Sequence, residues 1–357
     1  MLKKVFKGIF IFVGIAATVL MLAVAVFFSA KLILLFDGVG EVSALDEKDD
    51  KNDTEGVGTQ VESDDVRLNV LVLGKDNTSG LCDVIMIASY NLSDSSVAVL
   101  QIPRDTYAEF TDKSYKKLNG ALNELGSERA FCDFLEQTLC VRIDDYVCLE
   151  LDALGEIVDA LGGVEVNVPC DMDYDDPAQK LSIHLKKGMT LLDGDMAEQF
   201  VRFRSGYADG DLGRIDAQKI FLAALFSRLR GELSIIEIGS VAAAVSDDVR
   251  TSISLSEAIV LAKRVITLPS DRISFVTLAG GGAIATKSGA SYYVISRPCA
   301  IEIVRDMLGG DADEESFDPD RLFLNESYTE FERIYTERAE YTVYSADSLE
   351  KSGLGGE

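Results

Sequence analysis

Three short apolar runs limit what this chain can become. RLNVLVLG (67–74), DVIMIASY (83–90) and SVAVLQIP (96–103) follow closely on one another. The first ends in glycine and reads as a buried strand, and the other two read as strands joined by the turn residues NLSDS. Helical spacing follows at Ala130, Phe131, Phe134, Leu135 and Leu139. A strand is expected over Asp145–Leu151, and Asp152 then caps a helix carrying Leu154, Ile157, Val158 and Leu161, which Gly162-Gly163 stop. VEVNVP is another strand. Further on, helices are expected near 233–245, at 254–266 and at 300–308, with strands at 272–278 and 292–295. Strands alternating with helices predict a three-layer α/β/α sandwich around a central mixed sheet.

The N-terminus adds a different constraint. After Lys3, Lys4 and Lys7, the chain carries no charge from Ile9 to Ala30, a run of 22 residues. That length spans a bilayer and exceeds a cleaved signal's apolar region. Lysines before it and acid after it predict a single-pass anchor with the N-terminus cytoplasmic and the bulk extracellular. The expected organisation is therefore residues 1–36 as tip and transmembrane helix, 37–65 as a flexible acidic linker, 66–309 as an extracellular globular domain and 310–357 as an acidic, partly ordered tail.

The net charge of the 357-residue chain is −26. Such a surface repels nucleic acid, so an anionic ligand needs a local basic pocket. One segment offers it. FVRFRSGYADGDLGRIDAQ (200–218) holds Arg202, Arg204, Arg214, Asp211 and Gln218. If 201–204 is extended, Arg202 and Arg204 share a face. Asp211 precedes a helix on which Arg214 and Gln218 share a face near the N-terminus. Arginines beside a helix start suit phosphate. A surface ion-pair network is the competing reading.

Other signals carry less. Six cysteines show no CxxC spacing and read as small buried residues, with no pairing assigned. His184, the one histidine, sits in an alternating edge-strand run and reads as structural. GGG at 280–282 reads as a turn, and LGKDNTSG lacks the spacing of a phosphate-binding loop. More telling are the strand ends: Asp76 after the first strand, Asp83 opening the second, and Arg104 after the third. Loops at strand ends build the crevice of an α/β sheet. Two carboxylates without histidine suit a hard cation such as Mg²⁺, which bridges to phosphate.

These stretches resemble the LytR-CpsA-Psr family of cell-wall glycopolymer ligases. NVLVLGKD, DVIMI, LQIPRDTY, KLNGAL, DALGEIVDALGGVEVNVP, LLDGDMAEQFVRFR and DGDLGRIDAQ occur in the family's order over about residues 66–230, and SGASYY extends the likeness. The resemblance implies an anchored, outward-facing phosphotransferase. It would move a glycan from a polyprenyl-pyrophosphate carrier onto peptidoglycan through a phosphodiester, teichoic acid and capsule being the glycans concerned. It also implies that Asp76 and Asp83 lie near Mg²⁺, one acting as base. Arg104, Arg202, Arg204 and Arg214 would bind pyrophosphate, Asp211 and Gln218 would complete the pocket, and Lys117 and Asn119 would stand beside it. Many members carry Arg two residues before the second aspartate, where this chain has Leu81. A polyprenyl-pyrophosphate hydrolase, and a non-catalytic lipid-linked-glycan-binding or regulatory protein, are the alternatives.

Overall fold

The three apolar runs fold as expected. They become β1 (Arg67–Lys75), β2 (Cys82–Asn91) and β3 (Ser96–Gln101), antiparallel neighbours in one sheet. The computed structural model describes residues 66–75, 80–110, 116–150, 153–176, 181–203, 206–207, 211–230, 249–286, 288–311, 313, 331–333 and 341–352. The charge-free run at 9–30, the spacer at 37–65 and the helix expected at 233–245 lie outside them. Among the described residues no helix is long and apolar enough to cross a membrane.

Next come α1 (Ala121–Leu125) and α2 (Glu128–Leu139). Ser127 Oγ caps α2 by accepting from the Ala130 amide at 3.2 Å. These helices lie in the crossover to β4 (Asp145–Glu150), which runs parallel to β1. α3 (Ala153–Ala160) ends where Gly162 and Gly163 take φ of 73° and 98°, a region that favours glycine. Two antiparallel ribbons follow. β5 (Val164–Val168) pairs with β8 (Gly188–Leu192), and β6 (Met172–Asp176) with β7 (Leu181–Leu185). On β7, His184 Nδ1 lies 2.8 Å from Asp173 Oδ1 across the ribbon.

The remaining elements are α4 (Gly194–Arg202), α5 (Asp211–Arg230), β9 (Val249–Thr251), α6 (Leu255–Ile266), β10 (Ile273–Thr277), β11 (Gly280–Ala285), β12 (Ser291–Ile295) and α7 (Arg297–Leu308). Last are β13 (Phe331–Arg333), β14 (Tyr344–Ser345) and α8 (Ala346–Ser352). The central sheet has the order β14-β10-β3-β2-β1-β4-β9 and is mixed, β10 running parallel to β3. Alternate residues of β1 enter opposite layers. Val70 and Val72 face α3, α4, α5 and α8, whereas Leu71 and Leu73 face α2 and α7. The α/β/α sandwich with a mixed sheet is thus observed.

Three local expectations are corrected. GGG is strand, not turn: β11 lies so close to β12 that a Cβ on Gly280 would sit 2.2 Å from the Val294 carbonyl oxygen. Arg202 ends a helix rather than an extended run, because Asp193 caps α4 at the Met196 amide (2.9 Å) and Ala197, Phe200 and Val201 bury its inner face. The region after 310 is not all tail. β14 adds to β10, and α8 packs on α5 with Ala346 and Leu349 fully buried. Its charged residues hide a short apolar pair that only the fold reveals.

Candidate functional site

Strand direction gathers the site at one edge of the sheet. β2 runs antiparallel to both neighbours, so the end of β1, the start of β2 and the end of β3 meet there. At this edge Gly74 pairs with Val84 but Lys75 pairs with Cys82, so Asp83 is the extra residue of a β-bulge. A bulge re-aims a side chain. The Asp83 carboxylate is 7% exposed and accepts from Arg104 Nη1 at 2.9 Å.

Arg104 sits in a tight turn after β3, where the Thr106 amide donates to the Pro103 carbonyl at 3.0 Å. The Asn119 amide donates to the Arg104 carbonyl at 3.1 Å, and the Leu118 amide to the Thr106 carbonyl at 2.9 Å. The KLNG segment therefore straps the arginine turn in place. Lys117 Nζ pairs with Asp105 Oδ1 at 3.0 Å.

α5 supplies the roof. Gln218 is 1% exposed, and its Oε1 accepts from Gln101 Nε2 on β3 at 2.8 Å. One turn earlier Arg214 is also 1% exposed, a fully buried guanidinium. That burial excludes the surface ion-pair reading for Arg214. Gly213 explains how the start of α5 packs, since a Cβ there would lie 2.4 Å from Tyr207 Cβ. Tyr207 in turn meets the Phe203 ring edge-on at 5.5 Å. Burial pushes the Tyr207 hydroxyl pKa up, and Cys170 and Asp216 add to the rise. Arg202, at the end of α4, is held below the usual arginine range by burial, partly offset by Glu198.

Several groups here were not singled out from sequence. Gln101 is one, lost inside an apolar strand. Lys219 is another: its side chain is 4% exposed, its Nζ bonds Asp216 Oδ1 at 2.8 Å, and it lies 5.2 Å from the Tyr344 ring centroid. Burial lowers its pKa, and Asp216 opposes that shift. Gln218 Nε2, Gln101 Oε1, Tyr207 Oη and Thr277 Oγ1 are buried with no hydrogen-bond partner among the described residues. Thr277 is the register neighbour of Gln101. Unsatisfied buried polar atoms are costly, and Gln101, Gln218 and Thr277 bring three of them to the end of β3 and β10.

Asp76 and Arg204 lie outside the described residues, as does the side chain of Asp211, the first residue of α5. Asp83, Arg104, Lys117 and Asn119 are brought together at the strand edge, and Gln218 reaches the same edge through Gln101. Asp83 brings one carboxylate to this edge, with its Oδ1 engaged by Arg104 and no imidazole beside it. Among the described residues, no group of three His, Cys, Asp or Glu converges as a metal site.

The structure is an α/β/α domain with an arginine–carboxylate pair where the end of β3 meets the start of β2. The LytR_cpsA_psr family model matches residues 34–307, so the chain belongs to that family. The polyisoprenyl-teichoic acid–peptidoglycan teichoic acid transferase TagV of Bacillus subtilis is 28% identical over 218 residues. That alignment covers 60% of this chain but only 56% of TagV. The corresponding TagU of Oceanobacillus iheyensis is 25% identical, covering 78% of this chain and 88% of TagU. The TagV crystal structure superposes with a TM-score of 0.57 at 26% identity, covering 71% of this chain and 98% of that one. A structure of TagT bound to LIIa-WTA gives 0.55 at 26% identity, with 68% and 91% covered. β14 and α8 lie beyond the family match.

Proposed function

We propose that this protein is a phosphotransferase that moves a glycopolymer from a polyprenyl-pyrophosphate carrier onto peptidoglycan. The observation that carries the reading is the Asp83–Arg104 pair at the strand edge, with buried Gln218 bonded to Gln101 at the end of the same β3 strand, in a chain of this family. The relatives' names point to the same carrier-linked substrate and acceptor. In the reaction, an acceptor sugar hydroxyl attacks the glycan-bearing phosphorus. The bond from that phosphorus to the bridging oxygen breaks, and polyprenyl phosphate leaves with the electron pair. Asp76 or Asp83 takes the hydroxyl proton. Arg104, Arg202, Arg204 and Arg214 stabilise the charge that grows on the phosphoryl and bridging oxygens. Mg²⁺, held by Asp83 and Asp76, would supply further neutralisation of the diphosphate.

The prenyl tail needs apolar surface. A groove of about 580 Å³ lies between the start of β1, the end of β2 and α6, at the opposite end of the sheet from Asp83, with Leu68, Tyr90, Val260 and Leu261 as apolar lining and Arg67, Glu257 and Arg264 as charged lining. We also infer from the lysines and the run at 9–30 that the protein is a single-pass membrane protein with the domain outside. Protease added to intact protoplasts should then remove the domain, and protection of the domain would reverse the orientation.

The test of activity uses the full chain in detergent with a polyprenyl-pyrophosphate saccharide, a peptidoglycan oligomer and Mg²⁺. The expected product is a phosphodiester conjugate, seen by mass, that disappears with EDTA. Polyprenyl phosphate released without conjugate would point to a hydrolase, and untouched substrate to a binding role.

A further inference from the structure

We propose that Tyr292, together with the Asp105–Lys117 pair, forms a saccharide subsite that seats the acceptor beside Arg104. This rests on the transferase reading above. The turn after β3 presents two charged pairs on its two sides. Inward, Arg104 meets Asp83, which is 7% exposed. Outward, Asp105 meets Lys117 at 3.0 Å, with side chains 36% and 24% exposed. The two cations are similarly half-covered, at 20% for Arg104 and 24% for Lys117, but the Asp83 carboxylate is closed in and the Asp105 carboxylate is open to a ligand.

β12 completes the outer side. It is stitched into the turn by the Tyr107 amide to the Tyr293 carbonyl (2.8 Å) and the Tyr293 amide to the Asp105 carbonyl (2.9 Å). Strand alternation sends Tyr292 and Tyr293 to opposite sides. Tyr293 turns inward, its hydroxyl donating to the Leu278 carbonyl at 3.0 Å and its ring packing on the α2–α7 layer. Tyr292 turns to the outer pair: the Lys117 ammonium lies 5.9 Å from its centroid. The buried Tyr107 ring holds it edge-on at 5.3 Å and 83°, so the half-buried ring is fixed in place.

This set matches the surface of a sugar. A pyranose has an apolar C–H face, which packs against an aromatic ring, and a rim of hydroxyls. A carboxylate accepts from two hydroxyls, and an ammonium donates to their oxygens or to an amide carbonyl. Asp105 and Lys117 supply both within one residue of Arg104 along the chain or across its strap. A polymer ligand also suits a half-open subsite, because neighbouring sugars continue past the rim. Lys117 then stands at the seam, with donor phosphate on one side and acceptor sugar on the other.

The test is calorimetric binding of a soluble peptidoglycan oligosaccharide to the full chain in detergent, followed by transfer kinetics. Wild type should bind it. Tyr292→Ala should weaken binding and raise the acceptor KM by about 3- to 10-fold, the size of one aromatic contact. Tyr292→Phe keeps the ring and should bind as wild type does, while Asp105→Asn should weaken binding. The KM for the donor should stay unchanged in Tyr292→Ala. The subsite is overturned if wild type does not bind the oligosaccharide, or if Tyr292→Ala binds it equally well. It is also overturned if donor and acceptor KM rise together as Tm falls, which would make the ring structural. Sugar binding in a wild type that transfers nothing would sustain the subsite and defeat the transferase reading.

Discussion

The two layers that sandwich one sheet differ in what they bury. Between the sheet and α2 and α7, the site end is filled by Leu73, Ile85, Leu100 and the thiols of Cys82 and Cys148. On the α5 side, the same end holds the Gln101–Gln218 pair, and α5 also buries Arg214 and Lys219. Both layers are equally dry and draw on the same strands, so position in the sheet does not explain the difference. A core selected for stability alone would not gather a guanidinium, an ammonium and two amides in one layer, because each costs desolvation. The α5 layer is therefore both core and wall of the site, and the other layer is core alone.

The largest expected effect comes from the rim that both layers share. Arg104→Ala should lower transfer by roughly 10²- to 10³-fold, the usual cost of one oxyanion donor. Stability should fall too, by about 1–3 kcal/mol, since the buried Asp83 carboxylate loses an ion-pair partner. Full activity in this variant would remove the site from the strand edge.

Matched truncations sharpen the contrast between the layers. Phe131 on α2 and Phe221 on α5 are both fully buried. Either change to Ala should cost about 3–5 kcal/mol of stability in a denaturant melt. Assayed where both variants remain folded, Phe221→Ala should lose roughly tenfold in kcat as the α5 donors shift, and Phe131→Ala should not. Equal activity loss in both would mean the layers are not functionally distinct.

The buried amides give a subtler test. Gln101→Leu alone leaves Gln218 unsatisfied and should cost about 1–3 kcal/mol, whereas the double change with Gln218→Leu should cost less than the two single losses added. Activity should nonetheless fall in the double variant. A double variant as active as wild type would make the pair structural only.

Much of this was legible in the chain. Continuous apolar runs marked β1–β3, because those strands are buried on both faces, and helical spacing marked α2, because that helix buries one. Asp83, Arg104, Arg214 and Gln218 were visible as charge or amide in an acidic protein at strand and helix ends. What escaped depends on contacts distant in sequence. The bulge at Asp83 is a register fact, Gln101 gains its meaning from a partner 117 residues away, and Tyr344 from Lys219. α4 was missed because its apolar stripe is short and lies among charged residues. The pairing of Gly280 against the β12 backbone leaves no trace in local pattern.

The smallest effect separates the layers by their thiols. Burial pushes Cys82 well above the ordinary thiol value, with Cys148 and Asp83 adding to it, and pushes Cys132 to about 12. An unfolded chain ionises its thiols near ~8.5. Below that pH both states keep their protons, and the stabilisation is fully present. Above it the unfolded state loses protons that the native state retains, so stability falls as pH rises, toward about 12 for Cys132. Cys132→Ala should flatten this alkaline slope while leaving transfer at neutral pH unchanged. Native alkylation at pH 8 should reach half-buried Cys170 and Cys140 before Cys82, Cys132, Cys148 or Cys299. Early labelling of Cys82 would mean that water enters the α2–α7 layer behind Asp83, and that this layer too opens toward the site.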